Sequence, residues 1–176
     1  MADDSSGHRG LSRRERIGLW LHRTLDRRLS RLGVAVMRRT RGSVAERWKV
    51  DALVLTTRGR RSGRERPVVL QWFRDDDLMI VVAANDGGAT HPAWYLNLRA
   101  EPAARVEVRG ATIPVRAEEL ADDEAATWWT RIIERSPDYE RYRRATDRPF
   151  PIVRLVPAPT DTPMTAPAAR PTAGGA

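Results

Sequence analysis

No cysteine occurs anywhere in the chain, and that single absence removes disulfides, thiolate metal sites, cysteine nucleophiles and redox-active thiol pairs together. Histidine is almost as scarce. His8, His22 and His91 stand far apart, so a transition-metal site would have to gather them across the fold and complete itself with carboxylates; no resident metal is expected. Lysine is nearly missing as well, with Lys49 alone beside the arginines that carry the formal net charge of +8. Long apolar runs are lacking. The longest, Leu78 to Ala84, falls far short of the roughly 20 residues of a membrane-spanning helix, and Met1 to Gly10 has no apolar core of a secretory signal. A cytoplasmic protein is the expectation. Its positive charge favours anionic partners, whether phosphates, acidic coenzymes, nucleic acid or an anionic bilayer, without choosing among them. A length of 176 residues suits one domain with tails.

Residues 1–11 read as a disordered start and residues 12–48 as a basic helical segment. In it Ile17, Trp20, Leu21, Leu25, Leu29, Leu32 and Val36 recur at spacings of three and four, the mark of an amphipathic helix, with a break expected at Gly33. That stripe either covers a core or lies in a lipid headgroup region, with Arg13, Arg14, Arg16, Arg23 and Arg27 on lipid phosphates. From Lys49 onward the period shortens to two, predicting strands over Ala52 to Thr57, Pro67 to Phe73, Leu78 to Ala84, Ala104 to Val108 and Thr112 to Ala117. Asp75 to Asp77 and Arg109 to Ala111 read as turns of antiparallel hairpins. Helices are predicted over His91 to Arg99, Asp122 to Arg135 and Asp138 to Thr146, the second opening in acids that suit a helix N-terminus. Phe150 to Val156 reads as a closing strand, and residues 158–176, rich in Pro, Ala and Thr, as a disordered tail. The class is α+β.

Three segments carry the candidate chemistry. Thr56 to Arg66 is a glycine-punctuated loop between two strands, with backbone N–H groups, the Ser62 hydroxyl and several guanidinium forks suited to an oxyanion; it is equally an ordinary hairpin turn with solvated arginines. It lacks the spacing and the lysine of a nucleotide-triphosphate loop. Asn85 to Leu98 passes from a strand through Gly87 and Gly88 into a helix, where the glycines permit close approach of a flat ring or phosphate and the helix N-terminus favours an anion. There Trp94 either packs on a ring or belongs to the core, and His91 either caps or faces solvent. Ser136 to Tyr142 sets Tyr139 and Tyr142 three residues apart on one helical face, their phenols able to donate into a pocket or simply to pack.

The order of these segments resembles the deazaflavin-dependent nitroreductase family, within the split β-barrel flavin and deazaflavin oxidoreductases. The resemblance runs from about Ala52 to Val156. It rests on the Thr-Thr-x-Gly-Arg-x-Ser-Gly-x-x-Arg loop, on His91-Pro92-x-Trp94-Tyr95-Leu96-Asn97-Leu98, and on Thr146-Asp147-Arg148 before the last strand. It implies a split β-barrel over residues 49–157 with flanking helices, and coenzyme F420 as hydride source, with FMN as the alternative. Motif matching places Arg60, Arg61, Ser62 and Arg66 on the coenzyme's phosphate and acidic tail, and Asn85, Gly87, Gly88, Trp94 and Asn97 beside its ring. Tyr139 and Tyr142 fall on the substrate pocket as candidate proton donors. Quinones, enones and nitroaromatics are the implied small-molecule acceptors, a homodimer follows by analogy of fold, and no nucleic-acid partner is expected because no reading motif is present. A barrel binding lipid or nucleic acid without catalysis is the non-enzymatic alternative. The sequence departs from the family pattern at Val69, Gln71, Asn85, Asp86 and Ala145, all near the ring and substrate positions.

Overall fold

The computed structural model of the chain describes residues 32–43, 51–76 and 78–159. A helix at residues 32–39 (α1) precedes strands β1 (Ala52–Arg58), β2 (Glu65–Gln71), β3 (Phe73–Asp75) and β4 (Leu78–Val82). A short 3-10 turn at Asn85–Gly87 leads to helix α2 (Ala93–Ala100), then β5 (Ala103–Val108) and β6 (Ala111–Glu119). Helices α3 (Asp122–Arg135) and α4 (Asp138–Arg144) precede the last strand, β7 (Ile152–Pro157).

The strands form one seven-stranded sheet in the order β2-β1-β5-β6-β7-β4-β3, with every pairing antiparallel. Its two ends are halves of a single stretch of chain. β2 pairs with β1 and β3 with β4, and only Trp72 separates them, its N–H turned to Asp51 O at 2.9 Å. Residues 65–75 therefore leave one neighbour and join another, curling the sheet into a split barrel. The single strand expected over Pro67 to Phe73 is thus two, because no one strand can keep both partners around that bend.

Alternation decides what each face meets. Leu53 and Leu55 of β1 point inward to Val81, Val106, Val115 and Leu155, with Trp94 and Leu98 of α2 filling the same core. Val54, between them, points outward and is covered by Val34 and Met37 of α1. The outer side of β3, β4 and β7 is closed by α3 and α4, where Phe73, Ile80 and Ile152 pack on Trp128, Ile132 and Tyr139. Each fully buried Leu or Ile here contributes about 1.5–3 kcal/mol relative to exposure.

The hairpin turns fall where the sequence puts them. Asp76 has φ 51° between β3 and β4, and Arg109 and Gly110 have φ 49° and 80° between β5 and β6, the doubly left-handed geometry that suits the twist of a two-residue hairpin. α3 has the expected bounds. α2 begins at Ala93 rather than at His91, since a residue before proline is driven out of helical geometry. α4 stops at Arg144 rather than Thr146, because the Thr146 hydroxyl accepts the Arg148 N–H at 3.2 Å and draws the chain into a turn.

α1 differs from expectation in one way; the break expected at Gly33 falls at the edge of the described residues, which begin at Leu32. Its buried face is Val34 and Met37, 4% and 7% exposed, whereas Leu32 and Val36, members of the predicted stripe, are 60% and 39% exposed. In the described part of the segment, therefore, the stripe looks away from the barrel. The remaining stripe residues and the predicted disordered ends lie outside the described residues. No described helix is long and apolar enough to cross a membrane.

Candidate functional site

The basic loop between β1 and β2 is fixed by its own backbone. Gly59 N–H donates to Arg64 O at 2.8 Å, and Gly59 O accepts from Ser62 and Gly63 N–H at 3.0 and 2.7 Å. A Cβ at Gly59 would crowd Ser62 Oγ at 2.9 Å and Arg64 O at 3.1 Å, so the loop favours glycine there. The side chains of Arg60, Arg61, Ser62, Arg64 and Arg66 are consequently left exposed. Ser62 Oγ accepts from Arg64 N–H at 3.4 Å and from Arg66 Nη2 at 3.2 Å, which occupies both lone pairs and leaves the O–H to point at a ligand. Glu65, the acid within the loop, is taken by Arg105 at 2.7 Å. Arg60, Arg61, Arg64 and Arg66 find no carboxylate partner among the described residues.

Asn97 holds this loop from beneath. It is 4% exposed, its Oδ1 accepting from Arg60 N–H at 3.2 Å and Arg60 Nη1 at 3.3 Å, while its Nδ2 donates to Thr57 Oγ1 at 3.0 Å. Its Oδ1 and one hydrogen of Nδ2 are engaged inside the protein. Trp94, 7% exposed, packs edge-on against Tyr95 within the barrel core. Of the two side chains matched to the ring position from sequence, Asn97 therefore bonds to the basic loop and Trp94 packs in the core.

At the other end, Asn85, Asp86 and Gly87 follow one another in left-handed geometry, with φ of 52°, 50° and 73°. This is costly for the two residues that carry a Cβ. The turn packs against α4 so closely that a Cβ on Gly87 would stand 2.9 Å from both Ala145 Cβ and Tyr142 O, and one on Gly88 would lie 2.8 Å from Asn85 Nδ2. Both glycines thus serve contacts within the chain. Asn85 Nδ2 itself donates to Thr90 O at 2.9 Å.

Tyr139 and Tyr142 come together there, their ring centroids 5.7 Å apart and edge-on, with Tyr139 also against Phe73 and Trp129. Tyr139 is buried and Tyr142 half-buried, so Tyr142 is the more accessible phenol. Burial pushes both phenols above their usual range; Tyr142 raises Tyr139 further, and the nearby Asp86 carboxylate raises both. Both remain protonated, and able to donate, across the physiological range. Gln71, at the end of β2, donates to Ser136 Oγ at 2.7 Å and draws the start of α4 against the sheet.

β2 connects the two ends. Five residue steps separate Arg66 from Gln71, about 17 Å of strand, so the basic loop and the cluster of Tyr139, Tyr142, Phe73 and Trp129 rings lie at opposite ends of one half-exposed strand. That arrangement fits a long ligand with an anionic end and a flat end. Arg148, visible in the sequence only as the last residue of Thr146-Asp147-Arg148, binds the carbonyls of Ala83, Ala84, Gly88 and Pro149. The proximity of Asp86 to the tyrosines was likewise not readable, since it depends on packing across the fold.

Residues 29–157 match the family model for F420H(2)-dependent quinone reductases. An F420H(2)-dependent quinone reductase of Mycobacterium tuberculosis is 32% identical over 144 residues, covering 79% of this chain and 97% of that protein. A solved F420-H2 dependent reductase is 32% identical with a TM-score of 0.55, covering 60% of this chain and 93% of its own. Another solved chain, described as a domain-swapped dimer, is 29% identical with a TM-score of 0.57 and covers 77% and 96%. By sequence match and by fold, the chain belongs to the F420H(2)-dependent quinone reductase family.

Proposed function

We propose that the chain is an F420H(2)-dependent reductase that delivers a hydride to a quinone, with enones and nitroaromatics as further acceptors. The observation that carries this reading is the set of four arginines without carboxylate partners among the described residues, on a loop locked by Asn97, a strand's length from the Tyr139–Tyr142 pair. Arg60, Arg61, Ser62 and Arg66 would hold the phosphate and acidic tail of the coenzyme, each guanidinium offering paired donors to an oxyanion. Main chain at Asn85, Gly87 and Gly88 would border the ring. Bound in its reduced form, the deazaflavin supplies the hydride. The protein aligns the acceptor and keeps water from the reacting centre, while Tyr142, or Tyr139 behind it, supplies the proton that completes the two-electron reduction of a quinone to a hydroquinone.

FMN is the rival occupant of a split barrel. A titration with oxidised coenzyme F420 and, in parallel, FMN separates them: saturable, salt-sensitive binding of the deazaflavin in preference, weakened about tenfold or more by Arg60→Ala or Arg66→Ala, is expected. Tighter FMN binding, or arginine variants indistinguishable from wild type, would transfer the reading to FMN or to a non-enzymatic barrel.

Exposed Leu32 and Val36 favour a second element of the reading, docking of the N-terminal helix on an anionic bilayer where lipid-soluble quinones are found. The dimeric relative supports a homodimer for this chain as well.

A further inference from the structure

Arg148 stands outside the residues matched to coenzyme or substrate, yet its guanidinium is the most heavily engaged polar group among the described contacts. Its N–H groups face four main-chain carbonyls and one imidazole. Nε donates to Gly88 O at 3.1 Å, Nη2 to Ala84 O at 2.6 Å, and Nη1 to Ala83 O at 3.1 Å and Pro149 O at 2.9 Å. Nη1 also lies 3.0 Å from His91 Nδ1, so its two N–H groups are shared among three acceptors. The cation rests over the Phe150 ring at 4.6 Å. Among the described residues no carboxylate forms an ion pair with it, so a part-buried charge is held by carbonyl dipoles, the His91 imidazole and a ring face. Such an arrangement is costly unless the donors are met, and here every guanidinium nitrogen meets an acceptor.

The carbonyls it binds bracket one feature. Ala83 and Ala84 precede, and Gly88 follows, the left-handed run Asn85-Asp86-Gly87, whose tip presses on Tyr142 and Ala145. A strained turn persists only where its surroundings over-determine it, and Arg148 supplies that determination from both sides.

We propose that Arg148 is the positioning residue of the ring end of the site: it holds the left-handed turn so that Asp86, Tyr139 and Tyr142 keep a fixed relation, and it does so only while His91 is neutral. The inference rests on the coenzyme reading above for what the turn borders, not for the clamp itself. Arginine can only donate, so His91 Nδ1 must accept and the imidazole proton must sit on Nε2. A proton added at Nδ1 would set N–H against N–H and cation against cation. The other groups around His91 are Tyr95, whose ring is 5.0 Å away, and Arg99 and Glu119, which oppose one another electrostatically. α2 thus serves both ends of the site, holding the basic loop through Asn97 and, just before its first turn, steadying the clamp through His91.

The test uses Arg148→Lys, which keeps the charge and loses the fork, and His91→Asn, which places an acceptor near Nδ1 that cannot titrate. Hydrogen exchange of the ligand-free chain at amides 84–90, corrected for intrinsic rates, should quicken about tenfold in Arg148→Lys while β5 and β6 are unchanged. In wild type the same amides should quicken as pH falls from 7 to 5, and in His91→Asn they should stay slow. Affinity for oxidised F420, measured over the same range, should follow the exchange. Unchanged exchange at residues 84–90 in Arg148→Lys, or a pH dependence that survives in His91→Asn, overturns the clamp. Wild type that shows the exchange pattern but binds no F420 overturns only the coenzyme reading.

Discussion

Asn97 shows how much one buried amide can decide. With both its polar atoms committed to Arg60 and Thr57, Asn97→Ala would strand the Thr57 hydroxyl in a fully buried place and free the Arg60 loop. The expected cost is about 1–3 kcal/mol of stability, read by urea unfolding, with a loss of F420 affinity larger than that of any single exposed arginine. Wild-type affinity in a destabilised variant would mean that the loop needs no anchor. His91 makes a second residue-level claim. Burial, then the charges of Arg148 and Arg99, lower its pKa below the usual 6.5. The unfolded chain therefore takes up a proton first as pH falls, so the contribution of His91 to stability is full above about 6.5 and is lost as pH drops through the depressed folded value. Its neighbour Tyr95, buried and donating to Glu119 at 2.8 Å, is pushed up to about 12 and plays no part in that window.

At the scale of elements, α1 carries the clearest expectation. If its outward face meets lipid, Leu32→Asp with Val36→Asp in the full chain should abolish sedimentation with anionic phospholipid vesicles while leaving the melting temperature near wild type, since both side chains are already exposed. Equal sedimentation of the variant and wild type would remove the bilayer from the reading. The same helix marks where sequence patterns mislead. Leu32 and Val36 share a helical face and look like core, but the sheet beneath is met by Val34 and Met37, and no local pattern states which apolar stripe has a partner. Strands were easier to read, because β1 and β4 are apolar runs bounded by turn residues and α3 runs from a cluster of acids to Ser136-Pro137. The bend at Trp72 was hidden inside an unbroken apolar run. Within the site, the basic loop and the tyrosine pair could be found because glycines and spaced phenols are local signals. The engagement of Asn97 with Arg60 and of Arg148 with residues 83–88 was not, since those contacts span 37 and some 60 positions.

For the molecule as a whole, the position of β7 matters most. It is last in sequence among the described strands, yet it lies between β6 and β4, its register running from Val82↔Ile152 to Met79↔Leu155 on one side and from Glu119↔Val153 to Val115↔Pro157 on the other. The order of synthesis and the order in space therefore conflict. Until residues 152–157 are made, β4 and β6 each wait with an unpaired edge, the kind of surface that recruits strands from other chains. A chain ended at Phe150 should collect in the pellet when expressed, and one ended at Pro159 should remain soluble; solubility of both would show that the sheet tolerates the gap. Any change that stops the chain before residues 152–157 would then be no mild truncation, because the missing strand leaves two halves of a barrel free to find the wrong partners.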